Sequence, residues 1–461
     1  MTQTTKGTAG GDTREHGLRR QLTAGQMAMV GVGGSIGTGL LLGSGAAVQI
    51  AGPAVILTFL AAALITWTVT MAMAEMASVH PAAGSFGVYA ELYLNDWAGF
   101  VSRYGYWLAI AIAVGGELVA SATYMAYWLP QVPRIAWVGL FAALLLAINL
   151  RQVGEYGRAE YWMAMVKLVT IIAFVVIGAG LMLAGRVLPQ YTAHGGFFPK
   201  GPASPLLAMS YALFTFAGVE MVAISSGESR SRAEIARAML LTFVLLTFVY
   251  MGAIIVLVGV MPWHGAGVSE SPFVSVFRHV GLPAAGHVMN FVVLSAALSG
   301  ANASLYVDSR TLFSLARGGY APAGLGKLTA AGAPMRALIV SSFGIIVALA
   351  MEKWAPKNAF VYILGAALFG AMLAWLVALA AHVRFRARLS PQVLSALPMR
   401  SPAGAVASAA GFAGIVIGIG ATWWVSRVTV ISGVVYLVVL TFAYFLMQAR
   451  TRNRDASLRS A

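Results

Sequence analysis

The stretch Gly31-Val-Gly-Gly-Ser-Ile-Gly-Thr-Gly-Leu40 lies inside an apolar run from about residue 24 to residue 50. That run is long enough to cross a bilayer as a helix, yet its centre is rich in glycine, which weakens a helix interior. In hydrocarbon an unpaired backbone N–H or C=O is costly, so a helix opens only where its backbone is buried in protein or lines a cavity. The stretch therefore predicts a broken membrane helix, which is typical of a binding site for a polar molecule.

The composition predicts an all-α, polytopic membrane protein. Hydrophobic residues make up 59% of the 461 positions and charged residues only 10%, with a mean hydropathy of +0.80. Soluble domains carry about 25% charged residues. Apolar runs predict twelve membrane spans, at residues 25–50, 53–78, 97–126, 134–150, 158–184, 205–225, 236–261, 286–314, 337–352, 358–383, 404–425 and 428–449.

The net charge of +15 is explained by how the lysines and arginines are distributed between the spans, and it does not indicate a nucleic-acid-binding surface. If the N-terminus lies inside, 22 of the 30 lysines and arginines fall on cytoplasmic segments and seven on outside segments. The remaining cation, Lys167, lies within a span. This asymmetry predicts a bacterial inner-membrane protein with both termini in the cytoplasm. The bilayer is then the expected partner, and no nucleic acid is expected.

Several kinds of chemistry are disfavoured by the residues present. The chain has no cysteine, which excludes disulfides and thiolate metal sites, and its seven histidines are scattered without metal-type spacing. No nucleophile–base pair is evident in the sequence. We therefore expect neither an enzyme nor a bound metal or organic cofactor.

A second interrupted span predicts an internal repeat. The sixth apolar run contains Phe214-Thr-Phe-Ala-Gly-Val-Glu220, with a glycine and a carboxylate in mid-run, five spans after the first interruption. Such a pair is typical of an inverted five-plus-five repeat. The predicted parts are a cytoplasmic segment 1–24, repeats at 25–184 and 205–384, two accessory helices at 404–449 and a cytoplasmic tail 450–461.

Two connecting segments are longer than a simple turn needs. Residues 80–94 carry spaced aromatic and apolar side chains and predict a cytoplasmic amphipathic helix. Residues 263–283 predict an outer lid. A gating role and a plain surface role both remain open for these segments.

The glycine stretch itself allows several interpretations. A dinucleotide fingerprint is rejected because the G-x-G-x-x-G spacing fails and the setting is membranous. Close helix packing is an alternative, since Gly33 and Gly37, and Gly39 and Gly43, form small-xxx-small pairs. A site for a zwitterion is the third possibility: a half-helix starting near Thr38 would offer free N–H groups to a carboxylate, and carbonyls before the break would suit an ammonium.

Ionisable residues inside spans are functional candidates. Lys167 either extends to the membrane interface or is buried, and burial disfavours the charged ammonium, so that a buried lysine can load and release a proton. Glu117 and Glu220 lie too deep to reach an interface and should face the protein interior. Glu220 could equally be a structural carboxylate that caps freed N–H groups.

Three further acids, Glu75, Glu228 and Asp308, lie near predicted cytoplasmic helix ends. We interpret them as gate residues or as ion-pair partners of nearby arginines.

Several segments together resemble the amino acid/polyamine/organocation superfamily, and within it the bacterial permeases for aromatic amino acids, γ-aminobutyrate and proline. The resemblance covers nearly the whole chain. The matching segments are Leu18-Arg-Arg-Gln-Leu-Thr-Ala-Gly-Gln26, Gly33-Gly-Ser-Ile-Gly-Thr-Gly39, Ala51-Gly-Pro-Ala54, Glu75-Met76, Pro81-Ala-Ala-Gly-Ser-Phe86, Glu220, Gly227-Glu228, Ser309-Arg310 and Leu315-Ala-Arg-Gly-Gly-Tyr-Ala-Pro322.

The resemblance implies a fold like the sodium-coupled leucine transporter, with an amino acid held between broken helices 1 and 6. It implies that Gly37, Thr38 and Gly39 hold the substrate carboxylate, and that Phe216 shields the substrate. The carbonyls expected to hold the amine are those of Ser35 and Ile36, with those around Phe214 and Ala217. Lys167 aligns with a lysine that replaces the second sodium ion in proton-coupled relatives, which favours a proton as the coupling ion.

The chain departs from its relatives after Glu228. Relatives usually continue there with an Asn-Pro-like turn, whereas this chain has Ser229-Arg-Ser-Arg-Ala-Glu-Ile-Ala236. The geometry of the cytoplasmic gate is therefore not predicted by the resemblance.

These observations predict a proton-coupled symporter that imports an amino acid by alternating access, for which a monomer suffices. An exchanger and a non-translocating nutrient sensor are the alternatives, although a sensor would need longer soluble termini. The small residues Gly34, Gly115, Gly116 and Ala120 predict room for a neutral, aromatic or γ-aminobutyrate-like substrate, in a pocket that Glu117 could also face.

Overall fold

The computed structural model describes residues 24–80, 85–149, 156–186, 189–224, 232–329, 333–397 and 399–460. Within these ranges the fold is all-helical, without a strand. In the described part of the chain, nine helical stretches are long and apolar enough to cross a membrane, and two shorter apolar helices accompany them. The protein is therefore a polytopic, all-α membrane protein, as its composition predicts.

The helices of the first part begin with the predicted broken span. In chain order they are α1 (Ala24–Ser35), α2 (Ser44–Ala51), α3 (Val55–Val79), α4 (Ser85–Tyr93), α5 (Asp96–Ala126), α6 (Arg134–Asn149) and α7 (Tyr156–Leu183).

The remaining helices again include a broken span. They are α8 (Ser204–Leu207), α9 (Met209–Phe216), α10 (Met221–Ile224), α11 (Arg232–Val260), α12 (Pro272–His279), α13 (Pro283–Arg317), α14 (Met335–Ser341), α15 (Phe343–Trp354), α16 (Ala359–Arg388), α17 (Pro391–Ser395), α18 (Gly404–Ala421) and α19 (Arg427–Ser460).

The first apolar run is interrupted where the glycines predict. Helix α1 ends at Ser35, the next two residues form a bend, and a π-helical turn over Gly39–Gly43 leads into α2. A second interruption follows at Gly52, whose φ of 64° favours glycine, before α3 begins. The backbone thus leaves regular α-helix twice within 53 apolar residues.

The second broken span lies directly against the first. Helix α9 ends at Phe216, residues 217–220 form a turn, and α10 starts at Met221. The turn depends on Gly218, whose φ is 110°. A Cβ at Gly218 would also lie 2.9 Å from the Cα of Ser35, so the two breaks touch backbone to backbone.

Long helices surround the two breaks. Helix α5 packs against α13, α15 and α16, while α11 packs against α1, α3 and α7. Small residues allow the close approach: the backbone of α5 at Ala111 lies against Gly344 of α15. Such contacts are typical of helix pairs in membranes, where packing rather than the hydrophobic effect drives association.

The two long connecting segments are both folded onto the helices. In the first segment α4 forms the helix predicted there, and its Glu91 pairs with Arg103 of α5 at 3.0 Å. The segment holding α12 covers the second half of the first broken helix, because the Ser271 hydroxyl donates to the Leu41 carbonyl at 2.7 Å. Residues 81–84 lie outside the described residues.

Candidate binding site between the two breaks

A cavity of about 60 Å³ lies between the two broken helices, large enough for several water molecules. Both breaks, helix α5, helix α13 and helix α16 contribute to its wall. None of the lining residues is a lysine, arginine or histidine. They are Gly34, Ser35, Gly37, Gly39, Tyr106, Ala109, Ile110, Ala113, Glu117, Phe214, Ala217, Gly218, Glu220, Met221, Ser304, Ala367 and Ala371.

The carbonyls freed at the first break bind donors from distant helices. Tyr250 of α11 donates its hydroxyl to the Ser35 carbonyl at 2.8 Å. Lys167 of α7 donates its Nζ to the Gly33 carbonyl at 3.0 Å. Because Lys167 is only 2% exposed, its side chain does not extend to a membrane interface in this structure. A buried lysine amine therefore binds the residue next to the cavity wall.

The amide after the first break already binds a carboxylate. The Thr38 N–H donates to Oε1 of Glu117, which reaches it from α5, at 3.2 Å. The other oxygen of Glu117 and the hydroxyl of Ser35 are buried and have no hydrogen-bond partner among the described residues. The first break thus combines a carboxylate-binding amide with polar groups that remain available to a ligand.

The second break is closed by its own carboxylate. Both oxygens of Glu220 lie 3.0 Å from the Gly218 nitrogen, and Oε2 also accepts from Trp375 Nε1 of α16 at 3.1 Å. The Tyr106 hydroxyl of α5 lies beside the same carboxylate. Glu220 therefore satisfies the turn that Gly218 makes, which is the structural alternative left open by the sequence.

Most of the predicted site residues meet at the cavity. Its wall includes Ser35, Gly37, Gly39, Glu117, Phe214, Ala217 and Glu220. Ile36, Thr38 and Lys167 lie behind the wall, each buried. Gly39 also serves close packing, because a Cβ there would lie 3.1 Å from the Cα of Thr215 in α9. Packing and cavity formation, which the sequence left as alternatives, thus share one glycine segment.

Two expectations about the wall differ from the positions that the structure gives these residues. Phe216 does not line the cavity: it packs against Phe59 and Tyr250, with ring centroids 6.5 Å and 5.1 Å away. Successive helical side chains are about 100° apart, so residues two apart point in nearly opposite directions, and Phe214 is the ring that faces the cavity.

The predicted source of space differs in part, because Gly34 lines the cavity as expected but the other three residues do not. Gly115 and Gly116 face α15 and α16, at Ala348 and Ile363, instead of the cavity. Ala120 is buried and does not line the cavity either. The room comes from Gly34, from Ala109 and Ala113 of α5, and from Ala367 and Ala371 of α16.

The three predicted gate residues have different surroundings. Glu75 is fully buried at the end of α3 and accepts from Arg386 of α16 at 2.9 Å and from the Ser401 N–H at 2.5 Å. Asp308 is fully buried on α13, and among the described residues neither of its oxygens has a hydrogen-bond partner. Of the two roles expected for Asp308, an ion pair is not found among the described residues. Glu228 lies outside the described residues.

Several residues of the site were missed by the sequence analysis. Tyr106, Tyr250 and Trp375 are aromatic residues with a polar group, placed in mid-span. When such residues are buried, their O–H or N–H usually finds a partner, which is a usable signal. Ser304 gave no such signal, because serine is common within membrane helices.

Comparison with known proteins decides the family. The Amino acid permease family profile matches residues 26–452. The chain belongs to the amino acid permease family. It is 32% identical to the uncharacterized amino acid permease YtnA of Bacillus subtilis over 450 residues, which cover 95% of this chain and 97% of that protein.

Two further relatives have named substrates. The gamma-aminobutyric acid permease of B. subtilis is 33% identical over 393 residues, covering 84% of each chain. The aromatic amino acid transport protein AroP of Escherichia coli K12 is 32% identical over 381 residues, covering 81% of this chain and 83% of AroP. The family and the apolar helices make this permease a multi-pass membrane protein for amino-acid transport, not an enzyme.

Proposed function

We propose that this permease imports a neutral amino acid together with a proton, by alternating access around the two breaks. The observation that carries the proposal is the hydrogen bond from the Thr38 N–H to the Glu117 carboxylate. An amide at the start of a half-helix that accepts one carboxylate can accept another. The substrate carboxylate would replace Glu117 there, while its amine would lie near the carbonyls of Ser35 and Ile36.

The proposed topology has twelve crossings in a five-plus-five inverted repeat with two accessory helices. A straight helix of 53 residues would be about 80 Å long, more than twice the roughly 30 Å hydrocarbon core, so we count the first stretch as two crossings turning at Gly52. The two shorter apolar helices, Arg134–Asn149 and Met209–Ala223, complete the twelve. In this scheme the repeats are 25–184 and 205–384, and both termini lie in the cytoplasm of a bacterial inner membrane.

Lys167 supports a proton as the coupling ion. Its amine donates to a carbonyl of the first broken helix and also lies within electrostatic reach of Glu117. Loss of the lysine's proton would remove a charge beside the break and weaken its attachment to Gly33. Protonation of Lys167 could thereby alternate with rearrangement of the first broken helix. This coupling needs no organic cofactor.

The substrate class is proposed from the wall of the cavity. Its side chains are mainly apolar apart from the carboxylates of Glu117 and Glu220, which accept from backbone amides, and no lysine, arginine or histidine is among the lining residues. Such a wall suits a zwitterion with an uncharged side chain. Because two relatives are named for gamma-aminobutyric acid and for aromatic amino acids, these substrates come first in a screen.

Uptake by purified protein in proteoliposomes tests the proposal. A thermal-shift screen of all amino acids and γ-aminobutyrate first identifies the ligand. We then expect that an inward proton gradient drives accumulation of the radiolabelled ligand, that a protonophore abolishes it, and that a sodium gradient has no effect. Liposomes without protein are the control. Accumulation that follows sodium and ignores pH would refute proton coupling.

Exchange is the second candidate mechanism. If counterflow of labelled for unlabelled substrate is robust while no gradient drives net uptake, the permease is an exchanger. That result would leave the proposed substrate site standing and would refute only the proposed proton coupling.

A further inference from the structure

Asp308 is a buried acid that the proposed binding and coupling steps do not use. It lies in α13 with no exposed surface, and neither carboxylate oxygen has a hydrogen-bond partner among the described residues. An isolated, ionised carboxylate in a protein interior costs many kcal/mol, and such a group neutralises instead. By this argument Asp308 either carries a proton or faces a cation that the described contacts do not supply.

The position of Asp308 relates it to the central cavity. Gly300 lies against the Glu117 carboxylate, and Ser304 lines the cavity. Asp308 follows at the next step of four residues, so the three share one face of α13 at intervals of about 6 Å. Asp308 thus lies one helical turn beyond the cavity wall.

A tyrosine spans the same interval from the neighbouring helix. Tyr106 of α5 lines the cavity, lies beside Glu220, and is also within electrostatic range of Asp308. The other groups that face Asp308 are the phenol of Tyr436 from α19 and the Ser341 hydroxyl from α14. Among the described residues Asp308 has no ion pair with a lysine, arginine or histidine.

We infer that Asp308 is a second proton-binding site, which passes protons between the central cavity and the cytoplasmic end of α13. A proton is favoured over a metal cation because, of the described residues, only the Ser341 hydroxyl and two phenols are found beside the carboxyl, whereas metal cations require several oxygen ligands. The relay direction rests on the proposed function, since it uses the proposed topology, in which Arg317 is cytoplasmic. The site itself does not depend on that proposal.

Infrared difference spectroscopy on the purified full-length protein tests the site without any transport. We expect wild-type protein at neutral pH to show the C=O stretch of a protonated, buried carboxyl, and Asp308→Asn to lack that band. Asp96→Asn is the matched control, because Asp96 is exposed at the start of α5 and its loss should leave the band unchanged. A spectrum in which Asp308→Asn retains every protonated-carboxyl band overturns the proposal. So does a band that appears only when sodium is removed.

Transport then tests the relay. In proteoliposomes we expect Asp308→Asn to slow proton-driven net uptake by about tenfold or more, the scale of a lost proton-transfer group, while counterflow exchange stays near the wild-type rate. Asp96→Asn should match wild type in both assays. If Asp308→Asn has wild-type net uptake and the same pH profile, Asp308 is not a relay. Failure of proton-driven uptake in wild-type protein would instead refute the coupling proposal, and the infrared result would still stand.

Discussion

The two breaks that face each other across the cavity differ in where their freed backbone groups find partners. At the second break the partner is local: Glu220 turns back onto the Gly218 N–H, two residues before it. At the first break the partners come from elsewhere, with Glu117 on α5, Lys167 on α7 and Tyr250 on α11. The second break is therefore built to persist, whereas the first depends on groups that can exchange for a ligand or lose a proton.

Loss of Lys167 should have the largest effect in this comparison. A pH gradient of one unit is worth about 1.4 kcal/mol, or tenfold accumulation, for each coupled proton. We expect Lys167→Ala to bring accumulation to equilibrium while substrate binding and some exchange persist. Lys200→Ala is the control, because Lys200 is exposed in a loop beside Trp263. If Lys167→Ala still accumulates substrate with pH, the first break is not the coupling element.

The sequence reveals the breaks better than it reveals their partners. Glycines within apolar runs mark both interruptions, and an ionisable residue in mid-span marks Lys167, because hydrocarbon penalises each of these features unless something compensates. The partners depend on tertiary contacts: Glu117 meets Thr38 across 79 positions of sequence, and Trp375 meets Glu220 across 155. No local pattern encodes such distances.

The sequence also does not show that Phe214, rather than Phe216, faces the cavity, and the reason is related. Which of the two rings faces the cavity depends on the rotation of α9, and one residue of shift turns a helix by about 100°. The helix ends at Phe216 because Gly218 takes a positive φ, and that turn is held by Glu220 and Trp375. Sequence alone places the break to within a few residues, which is too coarse to orient a side chain.

Gly218→Ala should have the next largest effect, on folding. A positive φ costs a residue with a Cβ about 1–3 kcal/mol, and here the new methyl would also meet the backbone of Ser35. We therefore expect Gly218→Ala to lower the free energy of unfolding by at least this amount, and the thermal midpoint with it. In Gly37→Ala the nearest atom to the new methyl is Oε1 at the flexible end of Glu117, 2.6 Å away, so the change should weaken substrate binding more than folding.

A glycine in an open position is the control for these variants. Gly139 lies in α6 with no atom within 4 Å of an added Cβ, so Gly139→Ala should leave the midpoint unchanged or slightly raised. If Gly37→Ala and Gly218→Ala lower the midpoint equally, the two breaks are equally structural.

The most direct comparison replaces each glutamate by glutamine, and the smallest effect on stability is expected at Glu117. In Glu220→Gln one side-chain oxygen becomes an NH2 group that faces the Gly218 N–H or the Trp375 N–H, so a hydrogen bond to a charged group is lost, at a cost of about 1.5–3 kcal/mol.

In Glu117→Gln the remaining oxygen can still accept from Thr38, and the new NH2 group meets no second donor among the described residues. Glu117→Gln should therefore melt near the wild-type temperature. It should also bind substrate more tightly in calorimetry, because a neutral amide competes less well than a carboxylate for the Thr38 amide. Equal destabilisation by both variants, with no gain in affinity for Glu117→Gln, would mean that Glu117 closes the first break as permanently as Glu220 closes the second.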